Sequence, residues 1–224
     1  QERLAHGLSE TQKFDVFSRF QAGYDAYNWV IDPKLGWPLD FFYSREWEGY
    51  LANIFAITTS GDVTANFHHH KVDSADGFVH EDYNLCSFVE NRLANGTNPW
   101  YYQCVYTDDT YYKQPHTMKR MRAIAVIYYL CNTPWQEGDG GETALYATKD
   151  KSSVAARVAP INNRLLAMEI SPFSYHGFLR NTKTVRNSIT QWLHQEPAHA
   201  IKRWGAKPSP WNENEKKRRI ADWL

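Results

Sequence analysis

The chain has 224 residues, and its 25 Lys and Arg balance 25 Asp and Glu, so no long-range field draws it to nucleic acid or an anionic membrane. Hydrophobic content of 42% and charged content of 22% fit one well-cored globular domain and exclude a disordered chain. No apolar run approaches the roughly twenty residues that cross a bilayer as a helix.

Gln1 opens the sequence without a methionine or a signal-peptide pattern and reads as a trimmed start. Cys86, Cys104 and Cys131 lack metal-site spacing and read as reduced thiols of a cytoplasmic protein. In chain order, Ser9-Glu10-Thr11-Gln12 fits a capping box, and Phe14, Phe17, Phe20 and Tyr24 follow at helical spacing, predicting an N-terminal helix. Asp32-Pro33 and Gly36-Trp37-Pro38 end it. Tyr50 to Thr59, rich in Leu, Ile, Phe and Thr, predicts a strand. His68, His69 and His70 are expected as polar strand or loop residues, because consecutive side chains on a strand point to opposite faces and cannot share one ion.

A turn is predicted at 73–77, a loop at Asn95 to Pro99, and a strand around Tyr101 to Tyr106. Met121 to Leu130 is a continuous β-branched and aromatic run, the pattern of a buried strand. Thr133 to Gly141 reads as a loop, Pro160 to Asn163 as a turn and Arg164 to Ile170 as a strand. Ser188 to His194 is strand-like, with Ile189 and Leu193 on one face and Ser188, Thr190 and Trp192 on the other. Asn214 to Leu224 predicts a short amphipathic helix with a solvated basic face. Many short strands, with helix only near the ends, argue for a mainly β jelly roll flanked by N-terminal and C-terminal helices. The expected organisation is a single domain over 1–224, with flanking elements in 1–60, the core in 61–195 and a tail in 196–224.

Two imidazoles and one carboxylate on a single face leave positions open on iron and suit dioxygen chemistry. His80-x-Asp82, leading from Phe78-Val79 into Tyr83-Asn84, supplies one imidazole and the carboxylate, and His176 is the candidate for the distant histidine. Arg186 and Ser188 share a strand face, and a guanidinium beside a hydroxyl seats a small carboxylate.

The order His80-x-Asp82, Tyr128-Tyr129-Leu130-Cys131-Asn132, Trp135, Gly140-Gly141-Glu142-Thr143-x-Leu145, Val158-x-Pro160-x-x-Asn163-Arg164, His176 and Arg186-x-Ser188-x-x-x-Trp192 resembles the iron(II)- and 2-oxoglutarate-dependent oxygenases, in their prolyl-hydroxylase-like branch. The resemblance covers about residues 78–194 and implies a double-stranded β-helix that uses Fe(II), 2-oxoglutarate and O2. It implies that His80, Asp82 and His176 ligate iron and that Arg186 and Ser188 hold the distal carboxylate of 2-oxoglutarate. Many prolyl hydroxylases carry Lys in the place of Arg186, a mild departure. A tyrosine of the buried strand, Tyr128 or Tyr129, is expected at the cosubstrate, with Tyr128 carried as the candidate while strand parity stays open. Trp192 is expected in the same pocket.

Related halogenases lack the carboxylate, so Asp82 implies hydroxylation, desaturation or ring closure. The expected substrate is a small metabolite of a biosynthetic pathway, with a peptide or protein side chain as the alternative. The aromatic-rich segments 37–48 and 98–116 are expected to rim the pocket. The rivals are a lectin-like binding module without catalysis and a zinc or structural site built from His68–His70 with His80.

Overall fold

A computed structural model describes residues 18–21, 24–89, 103–105 and 117–209. Strands β1 (Ser18–Gln21), β2 (Tyr24–Val30) and β3 (Val63–His70) are followed by β4 (Leu85–Val89), β5 (Gln103–Val105) and the long β6 (Thr117–Tyr129). Then come β7 (Thr143–Tyr146), β8 (Val154–Val158), β9 (Leu165–Glu169), β10 (His176–Phe178) and β11 (Arg186–Gln195). Helix α1 spans Arg45–Phe55 and α2 spans Pro197–Trp204. The larger sheet runs β1-β2-β3-β11-β6-β4-β5, with β9 also paired to β6, and the smaller runs β10-β7-β8. Facing each other, the two antiparallel sheets make the jelly roll expected from the strand pattern.

The centre of the larger sheet is the buried run on β6 against β11, with β3 on the other side of β11. Ile189 sits between Phe67 and Tyr128, while Ser188 sits between His68 and Tyr129. Period-two alternation therefore divides the sheet into two surfaces. On one, Ile189 and Leu193 join Val63, Ala65, Phe67, Ile124 and Val126 under Phe42, Tyr43 and Leu51. Burying each large apolar side chain there contributes about 1.5–3 kcal/mol, which anchors α1 and the turn before it to the sheet. On the other surface Arg186, Ser188, Thr190 and Trp192 project toward the smaller sheet, and this surface carries the chemistry.

Four expectations are corrected. Tyr50 to Thr59 is not a strand: Ser44 caps α1 by accepting from the Trp47 N–H over 3.3 Å, and Trp47, Leu51 and Phe55 recur at helical spacing against the core. The aromatics at Phe20 and Tyr24 lie on strands, because β2 pairs in antiparallel register with β3, Trp29 opposite Phe67, so the described N-terminal flanking helix is α1. Residues 9–17 lie outside the described residues, as do the tail helix at 214–224 and most of segment 98–116. Segment 37–48 does not rim the pocket: Phe42 and Tyr43 are buried in the cluster of Ile189 and Leu193, behind the sheet. Tyr128 points to that same rear surface, as described below. The C-terminal flanking helix is α2, with Pro197 in its first turn and Gly205 closing it at φ 65°.

Candidate active site

His80 and His176 meet because their backbones pair: His80 N–H donates to His176 O (3.0 Å), and His176 N–H donates to His80 O (2.8 Å). The ring centroids lie 4.3 Å apart. Each ring is fixed by its Nδ1–H, which donates to Phe78 O over 3.0 Å in His80 and to Ser174 O over 2.9 Å in His176. That hydrogen bond leaves Nε2 as the free donor atom, the arrangement by which metal-binding imidazoles are oriented. His80 Nε2 is 3.9 Å from Asp82 Oδ1, and His176 Nε2 is 3.8 Å from Asp82 Oδ2. One ligand atom from each of the three lies within 4.8 Å of the others, and among the described residues no other group of His, Cys, Asp and Glu converges in this way. Two nitrogens and one carboxylate oxygen on one side of a common point fit an iron(II) ion with open positions.

Burial works against charge on Asp82, but Arg122, then His80 and His176, and the indole N–H of Trp192 outweigh it and hold the carboxyl well below the usual range. Burial and the neighbouring His80 push His176 down to about 4, against the opposing pull of Asp82, so this imidazole is neutral and ready to ligate at neutral pH.

Arg186 forms the second half of the site. It is 4% exposed, and its Nη2 donates to Thr143 Oγ1 over 3.0 Å. Its guanidinium lies 5.2 Å from the ring centroids of both Tyr129 and Phe178. Among the described residues its Nε has no hydrogen-bond partner, nor does Ser188 Oγ, which is fully buried. Among the described residues no carboxylate pairs with this cation. An unbalanced buried guanidinium beside an orphaned hydroxyl is costly unless an anionic ligand completes it, so the residues fit the distal carboxylate of 2-oxoglutarate.

Tyr129, rather than Tyr128, faces this seat. Its hydroxyl bonds Thr143 Oγ1 at 2.7 Å. Tyr128 turns to the rear, where its hydroxyl donates to Asn163 Oδ1 over 2.7 Å and its ring lies 6.2 Å from Phe42. Trp192 is in the site, bonded to Asp82: its indole N–H donates to Oδ2 over 2.7 Å. Thr143 and Arg122 carry no expectation from sequence, although Thr143 closes the quoted Gly-Gly-Glu-Thr segment. That segment is bent by Gly140 and Gly141 at φ 76° and 82°, and a Cβ on Gly140 would meet Arg180 O at 2.0 Å. The histidine triplet lies on β3, with His69 Nδ1 bonded to Asn187 Oδ1 at 2.7 Å and His70 stacked on Phe178 at 3.9 Å. The triplet does not converge with His80, against the zinc alternative.

Residues 101–194 match the family model described as the 2OG-Fe(II) oxygenase superfamily. That span is a 2OG-Fe(II) oxygenase domain. As a 2OG-Fe(II) oxygenase it is a 2-oxoglutarate-dependent dioxygenase that uses Fe(II), 2-oxoglutarate and O2, and the lectin-like alternative falls away. The matched span includes His176 and Arg186; His80 and Asp82 precede it and join them through the backbone pairing described above.

Solved structures with this fold include a prolyl-4-hydroxylase of Pseudomonas putida, 15% identical with a TM-score of 0.57, covering 87% of this chain and 85% of that one. A second is the viral collagen prolyl hydroxylase of Paramecium Bursaria Chlorella virus-1 in its 2OG complex, 11% identical with a TM-score of 0.53, covering 86% and 90%. A third is SnoK, a non-heme alpha-ketoglutarate-dependent carbocyclase from nogalamycin biosynthesis, 11% identical with a TM-score of 0.52, covering 95% and 86%. At these identities the likeness carries the fold. Among the described residues no helix is long and apolar enough to cross a membrane.

Proposed function

We propose that this dioxygenase hydroxylates, or otherwise oxidises, an unactivated C–H bond of a small metabolite in a biosynthetic pathway. The observation that carries the reading is the convergence of His80, Asp82 and His176 on one point, beside a buried Arg186 that has no carboxylate partner among the described residues. In this reading His80, Asp82 and His176 hold iron(II), and Arg186, Ser188, Thr143 and Tyr129 seat the cosubstrate's distal carboxylate. The catalytic core is the 61–195 stretch.

Iron(II), 2-oxoglutarate and O2 would supply the oxidising chemistry, O2 being the oxidant for both the decarboxylation of 2-oxoglutarate to succinate and CO2 and the oxidation of the substrate C–H bond. The chain's own residues do the placement. Two backbone carbonyls orient the imidazoles, and Thr143 and two aromatic rings hold the guanidinium. Asp82 and His176 are 5% and 6% exposed and only the His80 side chain, at 34%, is open to solvent, so the metal position is reached from one side, which supports a small molecule over a broad macromolecular surface.

The test is Fe(II)- and 2-oxoglutarate-dependent succinate release across low-mass metabolites and, in parallel, proline-containing peptides. The reading expects stimulation by a metabolite with insertion of a hydroxyl or loss of hydrogen, and its abolition in Asp82→Gly. Stimulation by peptides alone would refute the substrate class. Hydroxylation retained by Asp82→Gly would refute the metal assignment.

A further inference from the structure

Asp82 is gripped from two strands at once. Arg122 on β6 is 2% exposed, and its Nη1 donates to Asp82 Oδ1. Trp192 on β11 donates to Oδ2 from the other side. The two donors brace each other, with the Arg122 guanidinium 4.4 Å from the centroid of the Trp192 ring. Both are placed by the sheet: β6 and β11 are neighbours, and the extra β6 residue at the register shift between Leu193 and His194 sets His194 opposite Arg122. A carboxylate one carbon from the backbone otherwise turns freely about its terminal torsion. Donors on both oxygens remove that freedom and leave each oxygen a lone pair.

A guanidinium in this position also puts a third positive charge beside a site built for a dication. That repulsion is unfavourable in a buried setting. The Asp82 carboxylate offsets that charge, and the same contact holds the carboxylate in one orientation.

We propose that Arg122 is a positioning residue of the metal centre: its charge-assisted hydrogen bond fixes the plane of the Asp82 carboxylate, with Trp192 as the second anchor, so that this group meets the ion together with the two imidazoles. The inference rests on the reading of His80, Asp82 and His176 as metal ligands. Groups that orient metal ligands in this way are worth 10–100-fold in metal affinity.

The test is Mn(II) affinity of the full chain, read from the free aquo-ion signal in electron paramagnetic resonance, with thermal melting in chelator as the fold control. Arg122→Met keeps an unbranched apolar stem over the Trp192 ring but removes the donor; Arg122→Lys keeps charge and donor. The proposal expects Arg122→Met to lose roughly 10–100-fold in Mn(II) affinity at an unchanged fold, and Arg122→Lys to recover most of it. Wild-type affinity in Arg122→Met, or equal loss in both variants, would overturn it. If Arg122→Met does not fold, Arg122→Gln, which lacks the charge, decides by the same criterion: weaker Mn(II) binding supports the clamp and unchanged binding overturns it. A wild-type chain that binds Mn(II) no better than Asp82→Ala would sink the metal assignment and this inference together, whereas tight wild-type binding with an unaltered Arg122→Met sinks the inference alone.

Discussion

Arg186→Met separates the cosubstrate seat from the fold. The guanidinium is 4% exposed and held by one hydrogen bond to Thr143 and by two aromatic faces, with Nε unpartnered. Truncating one partner of a buried, hydrogen-bonded charge pair costs roughly 2–5 kcal/mol. At about 1.4 kcal/mol per tenfold, 2-oxoglutarate should bind Arg186→Met roughly 30-fold to several thousand-fold more weakly than wild type. Without the ligand the balance differs. The wild-type chain buries a cation that no described acid compensates, so an unbranched apolar replacement should leave apo stability within about 1 kcal/mol or raise it. The assay is calorimetric titration of 2-oxoglutarate into Mn(II)-loaded protein, with thermal melts at saturating ligand. Wild type should gain about 2.7 kcal/mol at a hundredfold excess over Kd, and the variant no more than about 0.9 kcal/mol at the same concentration. Affinity within threefold of wild type would refute the assignment of Arg186 as the carboxylate seat.

Tyr129→Phe removes the hydroxyl bonded to Thr143 beside Arg186, and should weaken 2-oxoglutarate binding by about 0.5–1.5 kcal/mol, while Tyr128→Phe on the rear surface should leave it unchanged. The same titration checks both, and the reverse ranking would contradict the strand parity described above. Metal-free protein should lose stability as pH falls from 6.5 toward 4. His176 is lowered from 6.5 to about 4, so in that window the unfolded chain takes up a proton that the native chain refuses. The linked loss approaches roughly 3 kcal/mol by pH 4, and buried His70, also held well below its ordinary value by burial and by Arg186, acts in the same direction. Urea denaturation in chelator at pH 7.5, 6 and 5 measures it, and a flat profile would count against neutral buried imidazoles.

The His80-x-Asp82 pair and Arg186-x-Ser188 are legible in the sequence because the proposed chemistry demands particular residue types at short, fixed spacings, whereas His176 is picked out only by the order of the family's segments. Strand parity then puts Arg186 and Ser188 on one face before any fold is known. The choice between Tyr128 and Tyr129 is not legible. They lie in a run apolar on both faces, where alternation carries no signal, and only the register of Ser188 opposite Tyr129 fixes it. Arg122 is hidden for a related reason, since no local pattern marks which arginine of a long strand is carried inward. Its partner lies 40 positions away on another segment. Tyr50 to Thr59 misleads through its strand-forming composition, although Ser44 and the Trp47, Leu51, Phe55 spacing hold the helical signal. The helical spacing of Phe20 and Tyr24 is overridden by pairing: β1 pairs with β2, and β2 with β3.

The central claim is tested most directly by adding Fe(II) and then 2-oxoglutarate to the wild-type chain without oxygen and recording the visible spectrum. The account predicts the weak charge-transfer band of an iron(II)–2-oxoglutarate chelate, lost in Asp82→Ala and requiring far more 2-oxoglutarate in Arg186→Met. A wild-type spectrum without that band at saturating metal and cosubstrate would contradict it.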